Sequence, residues 1–469
     1  MKDTGKTSGE LARAGLGRVR RPLVVGCGIS GEAVATHLAG AGLPVTVSDN
    51  RLETELEPAA GRLRRLGVRL ATGSHDREDF RRHDLIVLSP GVPQELPEIR
   101  DARQAGIRVI SEVEYAFGFL RGEVVGITGT NGKTTTTSLL GAILSAAGEP
   151  YTVCGNIGIP LTAALERDHQ GTIHCVELSS FQLEGIDRFR PRIAVLLNLQ
   201  PDHQDRYPGT VEYAAAKARI FANQKEGDHA ILNDGDPTCR DLQGTIRSRA
   251  LWFRSRDGLP QEGAGVADGD VRVRIAGREE SVMPRDEIRL PGNHNLENAL
   301  AAILAARLLG VPAGAIRRAV GRFTGLSHRM ERVAEIDAIT YWNDSKATNV
   351  DAVKRCLESF PGKVILILGG LDKGGDFATL RVPIGAAARR VILMGASRRA
   401  LSRQLQEPVP TVEVEGLEEA VAEARRGALP GDQVLLSPGC ASFDAYRNFA
   451  ERGEHFRRLV EAFHGEAKS

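Results

Sequence analysis

The string Gly126-Ile127-Thr128-Gly129-Thr130-Asn131-Gly132-Lys133-Thr134 joins an apolar run, EVVGIT, to the segment TTTSLLGAILSAAG. In such a turn glycines let backbone amides surround phosphate oxygens, Lys133 neutralises charge, and the Thr134 hydroxyl can hold Mg²⁺. It departs from the common G-x-x-x-x-G-K-[ST] pattern, since Ile occupies position 127. A second glycine turn, Gly26-Cys27-Gly28-Ile29-Ser30-Gly31, follows the short strand pattern PLVV and opens a helix pattern, and Asp49 ends the next apolar run. That geometry offers amides at a helix N-terminus to a pyrophosphate; a dinucleotide or any nucleotide diphosphate satisfies it equally. Three further groups carry chemistry. Glu177 ends the buried-strand pattern TIHCVELSS, where a carboxylate facing a phosphate loop is well placed for Mg²⁺. Asp202, His203 and Asp205 crowd one loop and suit a metal, a phosphate or a sugar; spacing does not choose among them. Lys217, in EYAAAKARIF, is by position an ordinary helix-surface lysine.

Lysine identity matters because the basic residues are lopsided: Arg contributes 51 and Lys only 10 of the 61. An ammonium is a compact, movable charge that can be deprotonated and modified, which a guanidinium is not. Lys133, Lys217, Lys346 and Lys373 all fall inside motifs.

The elements that would position these groups alternate strand and helix. From Pro22 to Tyr115 the runs PLVV, PVTVSD, GVRLATG, DLIVLSPG and IRVISE read as parallel strands, with ISGEAVATHLAGAG a helix closed by Gly42. A second series starts at EVVGIT and continues through TIHCVELSS and AVLLNLQ, each run stopping at polar residues, as at the carboxyl edge of a parallel sheet. Residues 251–290 alternate more finely and read as an antiparallel patch; NHNLENALAAILAARLLG is then a helix ended by Gly310. A third series runs through EIDAITYWNDSKATN, KVILILGGLDKGGDF, RVILMGAS and QVLLSPGCASFDAY. The expected fold is α/β with three domains: 22–115, 116–325 and 326–469, preceded by a frayed extension at 1–21.

Length agrees, since 469 residues suggest about three domains. A net charge of +1 argues against bulk electrostatic binding of nucleic acid. No apolar run approaches the roughly 18 residues of a membrane span, and the polar first 21 residues lack a secretory h-region. Six scattered Cys indicate neither a disulfide framework nor a zinc ribbon, so a reducing cytoplasm fits best. Glycine, 52 residues or about 11%, exceeds the usual roughly 7%, and several of the 52 cluster at turns that would face phosphate or substrate, the rest falling at helix ends and ordinary turns.

TGTNGKTTTT (128–137), GNIG (155–158), HNLENALAA (294–302) and GLSHRME (325–331) together resemble the Mur ligases, ATP-dependent amide-forming enzymes of peptidoglycan precursor synthesis. ELSSFQLE (177–184), NDSKATN (343–349), GGLDKGGDF (369–377) and SPGCASFDAYRNF (437–449) resemble the D-glutamate-adding branch of that family. The resemblance implies a Rossmann-like UDP-binding domain, a central P-loop ATPase-type domain whose mostly parallel sheet carries a small antiparallel sheet, and a C-terminal Rossmann-like domain for the amino acid. It implies a cytoplasmic monomer that uses ATP, D-glutamate and UDP-N-acetylmuramoyl-L-alanine, with no nucleic-acid or membrane partner.

By residue match, Gly28, Ile29, Ser30, Asp49 and Asn50 would hold the uridine diphosphate. Gly91, Asn156, Ser179 and His203 would face the sugar or its L-alanyl arm. Gly129, Asn131, Gly132, Lys133, Thr134 and Thr135 would cradle ATP phosphates, and Asn295, Asn298, Arg329 and Asp344 would contact the nucleotide. Two Mg²⁺ sites would draw on Thr134, Glu177, His203 and Lys217, the last as a carbamate (N6-carboxylysine). Thr348, Lys373, Ser442, Phe443 and Phe449 would bind D-glutamate, with Lys346 near the reacting groups; Lys133, Glu177, His203, Lys217 and Lys346 form the implied catalytic set. A helix N-terminus near Ser442 would suit one carboxylate of the amino acid.

Rival readings leave motifs idle. An NAD-dependent dehydrogenase explains residues 22–50 but not the phosphate loop; a P-loop switch explains 126–134 but not NDSKATN or SPGCASFDAY. A sister ligase adding another amino acid differs at the C-terminal pocket and at ELSSFQLE.

Overall fold

The computed structural model describes residues 14–202, 206–360, 364–406 and 409–466. Three sheets carry the chain. The first holds five parallel strands in the order β3-β2-β1-β4-β5: β1 Pro22–Val25, β2 Thr46–Asp49, β3 Arg69–Thr72, β4 Leu85–Leu88 and β5 Arg108–Ser111. β1, β2 and β4 are buried along their whole length, as expected for strands covered on both faces. Strand order reverses at β1, so the loops leaving β1 and β4 diverge and open a crevice at the carboxyl edge. Helix α1, Ile29–Gly40, starts at that edge.

The second sheet has nine strands in the order β14-β13-β12-β11-β10-β9-β6-β8-β7. They are β6 Glu123–Thr128, β7 Tyr151–Gly155, β8 Ile173–Glu177, β9 Ile193–Leu196, β10 His229–Asn233, β11 Arg249–Asp257, β12 Gly263–Ala267, β13 Asp270–Ile275 and β14 Arg278–Pro284. Strands β6 to β12 pair in parallel, and β13 and β14 add antiparallel pairings. The antiparallel part read from residues 251–290 is therefore the outer end of this sheet. Helix α2, Glu112–Phe117, leaves β5 directly; its Val113 and Ala116 share a core with Val124, Leu161 and Phe189 of the second sheet's layer. The two sheets consequently form one compact unit, Met1–Leu199 with Val211–Glu287 and Glu297–Gly321. Helix α3, Lys133–Ala147, follows β6 and stops at Gly148 in the left-handed conformation.

Residues 14–21, expected to fray, pack instead. Ala14, Leu16 and Val19 are buried in the first sheet's core, and the Gly15 carbonyl accepts from Arg108 Nη1 at 2.6 Å. Three apolar side chains and a captured carbonyl are enough to fix so short a segment. Residues 1–13 lie outside the described residues.

The second unit comprises Gln200–Thr210, Ile288–Leu296 and Arg322–Ser469. Its sheet runs β15-β16-β20-β17-β18-β19, built from β15 Glu331–Ile336, β16 Ile339–Asn343, β17 Val364–Gly369, β18 Ala388–Met394, β19 Thr411–Glu413 and β20 Gln433–Leu436. Only β15 is antiparallel to its neighbour. Among the described residues no helix is long and apolar enough to cross a membrane.

Candidate functional site

At the first crevice, Gly28 in extended conformation (φ −82°) precedes α1. Asp49, at the end of β2, accepts from the Cys27 amide at 2.7 Å and from the Arg51 amide, Nε and Nη2 at 2.8–3.0 Å. Burial alone would raise the Asp49 carboxyl; the Arg51 guanidinium and the two amides outweigh it and hold the group at about 2. Both oxygens are thus spent on fixing the glycine turn and its neighbour. A cavity of about 500 Å³ opens here, and Gly28, Ile29, Ser30, Asp49, Asn50 and Gly91 all line it. The structure adds Arg51, His75 and Ser89 to the same wall. His75 Nδ1 is 2.8 Å from Ser48 Oγ, and Ser89 Oγ donates to the Gly26 carbonyl at 2.9 Å. Asn156 and Ser179 do not line this cavity. Asn156 Nδ2 donates to Glu177 Oε1 at 2.9 Å, and Ser179 caps the short helix Ser180–Glu184 in a reciprocal pair with Gln182.

The second sheet builds the phosphate loop. β6 ends at Thr128, and the chain turns through Gly129 (φ 149°) and Gly132 (φ 86°) into α3. Gly132 is required twice over: its φ is left-handed, and a Cβ there would lie 2.1 Å from Asn298 Oδ1. Asn198, unmarked by the sequence reading, sets the loop's shape. Its Oδ1 accepts from the Asn131 amide at 2.9 Å, its Nδ2 donates to the Asn131 carbonyl at 3.0 Å, and its carbonyl accepts from Thr130 N at 2.9 Å. Lys133 Nζ donates to the Gly129 and Thr130 carbonyls at 2.7 and 2.8 Å. β8 places Glu177 opposite Ile127 in register, at the same sheet edge. Glu177 is 1% exposed, and its Oε2 has no hydrogen-bond partner; the buried Thr135 Oγ1 has none either. A buried carboxylate oxygen left unpaired costs free energy unless a cation or donor completes it, so this edge fits a Mg²⁺–phosphate group. Lys217 is 2% exposed, with Nζ 4.7 Å from the Tyr213 ring centroid, on the helix Thr210–Ala218. That burial overturns its appearance as a surface lysine. His203 and Asp205 lie outside the described residues. No group of three or more His, Cys, Asp or Glu side chains converges as a metal cluster among the described residues.

Asn295, Arg329 and Asp344 belong to the second unit. Asn295 is buried and donates to the Pro291 carbonyl at 2.7 Å. Asp344 is buried; burial pushes it up to about 6 against the lowering influence of Arg329, and Ser437 Oγ donates to it at 3.1 Å. Three loops meet at this sheet's carboxyl edge. Asp344 N donates to the Leu436 carbonyl, Gly369 N to Pro438, and Gly439 N to Ala347, at 2.8–2.9 Å. Leu371 and Ala441 exchange both backbone hydrogen bonds, so closely that a Cβ on Gly370 would lie 2.4 Å from the Ala441 oxygen.

A cavity of about 380 Å³ in this edge is lined by Thr348 and Lys373 together with Asp202, Asn349 and Lys354. Asn349 caps the helix Val350–Leu357 through its Oδ1 and donates from Nδ2 to Asp202 at 3.2 Å. Lys354 was missed, although it is one of only ten lysines, the signal that singled out the others. Ser442, Phe443 and Phe449 do not line this cavity. Ser442 is buried, Phe443 is 69% exposed, and the Phe449 ring lies under Lys346 Nζ. The expected helix N-terminus at Ser442 is absent: residues 442–448 form turns, and the C-terminal helix runs Phe449–Glu466.

Three stretches match family domains in the order of the sheets. Residues 20–111 match the N-terminal domain described as Mur ligase MurD-like, 127–306 the Mur ligase middle domain, and 328–440 the Mur ligase glutamate ligase domain. A UDP-N-acetylmuramoylalanine–D-glutamate ligase of Acidobacterium capsulatum is 46% identical over 450 residues, covering 96% of this chain and 97% of that one. The chain belongs to the Mur ligase family. A second such relative, from Koribacter versatilis, is 44% identical over 443 residues, 94% of this chain and 97% of its own. A solved UDP-N-acetylmuramate–alanine ligase of Thermotoga maritima aligns over 96% of this chain and all of its own, with a TM-score of 0.57 at 21% identity. That likeness gives the Mur ligase fold: mixed α/β with N-terminal, middle and C-terminal domains.

Proposed function

We propose that this Mur ligase joins D-glutamate to UDP-N-acetylmuramoyl-L-alanine at the expense of ATP, in the making of peptidoglycan precursors. The observation that carries the reading is 46% identity, sustained across 96% of the chain, to a relative that bears this activity in its name. ATP supply places the work in the cytoplasm, and the reading takes one chain as the working unit.

A carboxylate is a poor electrophile and must first be activated. In this reading the L-alanyl carboxylate attacks the ATP γ-phosphorus, the bond to the bridging oxygen breaks, and ADP leaves an acyl-phosphate. The D-glutamate nitrogen attacks the acyl carbon and gives up a proton, and the tetrahedral adduct expels inorganic phosphate. Catalysis of this kind is positioning and charge neutralisation. The amides from Gly129 to Thr135 and the Lys133 ammonium would hold the phosphates. The unpaired Glu177 oxygen supports assigning Mg²⁺ to Thr134, Glu177, His203 and Lys217, the last carbamylated. When bound, the ion would neutralise charge between the β- and γ-phosphates. Asn295, Asn298, Arg329 and Asp344 would contact the nucleotide. The 500 Å³ cavity would take the uridine diphosphate, with Arg51 as a cation beside it and Asn156 and Ser179 toward the sugar. Thr348 and Lys373 would bind D-glutamate, with Ser442, Phe443 and Phe449 completing its site and Lys346 close to the reacting groups.

ADP release measured on UDP-N-acetylmuramoyl-L-alanine with each amino acid in turn tests the proposal. D-glutamate is expected to drive turnover alone; effective replacement by L-alanine, L-lysine or diaminopimelate would sink the specificity.

A further inference from the structure

His75, in the loop after β3, lines the cavity that opens beside Asp49. Its ring is held on two sides: Nδ1 lies 2.8 Å from Ser48 Oγ, and the buried Phe80 ring meets it edge-on at 5.8 Å. Ser48 is 1% exposed, and His75 is the partner of its hydroxyl. Were Nδ1 to carry the ring proton, that hydroxyl would only accept, and its own hydrogen would be buried without an acceptor. The hydroxyl donates to Nδ1 instead, which puts the ring proton on Nε2. Among the described residues Nε2 has no hydrogen-bond partner, so the half-buried ring presents an N–H donor to the cavity. Asp49 and Arg51, on the same wall, are by contrast paired with each other.

Sheet order decides which end of a ligand this donor meets. Along the carboxyl edge the loops run in the order β3, β2, β1, β4, β5. A pyrophosphate at the N-terminus of α1 sits at the β1 loop. β5 continues into α2, the joint to the sheet that builds the phosphate loop, so a sugar and its reacting arm leave on the β4 side. The nucleoside is then on the β2–β3 side, beside His75. We propose that His75 is a specificity residue for the nucleoside, its Nε2–H donating to a carbonyl oxygen of the uracil ring. The amides at α1 would take a pyrophosphate whatever base it carries, and a directional donor at the base lets the cavity choose, because a ring that turns its own N–H to that point leaves two donors opposed. The proposal rests on the ligase reading for the identity of the occupant, a uridine diphosphate.

The test is calorimetric binding of UDP-N-acetylmuramoyl-L-alanine, without ATP, against its 2-thiouridine and 4-thiouridine congeners, since sulfur accepts a hydrogen bond more weakly than oxygen. One of the two congeners is expected to bind the parent about three- to tenfold less tightly. His75→Phe keeps a ring against Phe80 but has no donor; the oxygen substrate is expected to bind it about tenfold less tightly, with the thio penalty gone. His75→Gln, whose amide can supply the N–H, is expected to recover most of the affinity and the penalty. A parent indifferent to both congeners, or the same penalty in the parent and in His75→Phe, overturns the proposal. The ring ¹⁵N shifts of His75 in the free protein give a readout that needs no ligand: a protonated Nε2 and a bare Nδ1 are expected, and the opposite tautomer overturns the proposal. A parent that shows these couplings yet releases no ADP with D-glutamate overturns the ligase reading and leaves the role of His75 standing. A parent that binds none of the three compounds overturns both.

Discussion

Lys217 shows how much one residue's burial decides. Lys217 is only 2% exposed on the helix Thr210–Ala218, with its Nζ 4.7 Å from the Tyr213 ring centroid. In the function proposed above Lys217 carries a carbamate. An uncharged amine adds CO₂, and the product is a carboxylate able to serve a metal, a reaction closed to arginine. Lys217→Ala is expected to lose activity by about 100-fold or more, as removal of a metal-tuning group commonly does. Millimolar formate or acetate should restore part of it by standing in for the missing carboxylate. Steady-state rates with and without added acid check this; an active Lys217→Ala protein removes the carbamate. The sequence flagged Lys217 through the rarity of lysine and through the family resemblance, since its place in EYAAAKARIF reads as an ordinary helix surface.

Among the elements, α2 does the least obvious work, being the joint between the first and second sheets. Its Glu114 is fully buried and accepts from the amides of Asp187, Arg188 and Phe189 at 2.7–3.0 Å. Arg108 and Arg188 flank it at 3.8–3.9 Å. Beside it Glu112, raised by burial against the opposing hydrogen bonds of Thr162, accepts from the Thr162 amide and hydroxyl at 2.6 and 2.7 Å. The Ser111 amide donates to the Gly185 carbonyl at 2.8 Å, completing the joint. Leaving three amides without an acceptor costs about 1–3 kcal/mol each where water cannot enter. Glu114→Ala is therefore expected to lower unfolding free energy by about 3–5 kcal/mol, and Glu114→Gln by about half that, measured by urea denaturation. A loss below about 1 kcal/mol for Glu114→Ala would mean that solvent replaces the carboxylate. Nothing in EVEYAF announces this, because two glutamates at the head of a helix read as ordinary first-turn acids.

Across the whole molecule, what was legible followed periodicity and glycine. Buried parallel strands are continuous apolar runs, and the turns after β1 and β6 carry their own punctuation, so the three α/β series and the cavity residues from Gly28 to Asn50 were readable. Contacts between residues far apart in the chain were not. Asn198 shaping the phosphate loop, Asp49 accepting from the Cys27 amide and the packing of residues 14–21 depend on pairings that no local pattern encodes. Cysteine shows both sides: the sequence excluded a disulfide framework by spacing, but only the fold shows where each thiol went. All six are free and buried. Burial raises every one of them, Cys154 and Cys440 to about 12, and Cys175 and Cys356 well above the usual value. Reactivity belongs to the thiolate, so raised values and closed access act together to silence these groups near neutral pH. In the native protein fewer than one thiol in the six is expected to react with a disulfide reagent such as Ellman's within minutes at pH 8, and all six should react in denaturant. Catalysis should likewise survive brief treatment with such a reagent. Two or more fast-reacting thiols in the native protein would show that at least one of the three sheets opens readily enough to admit solvent to its core.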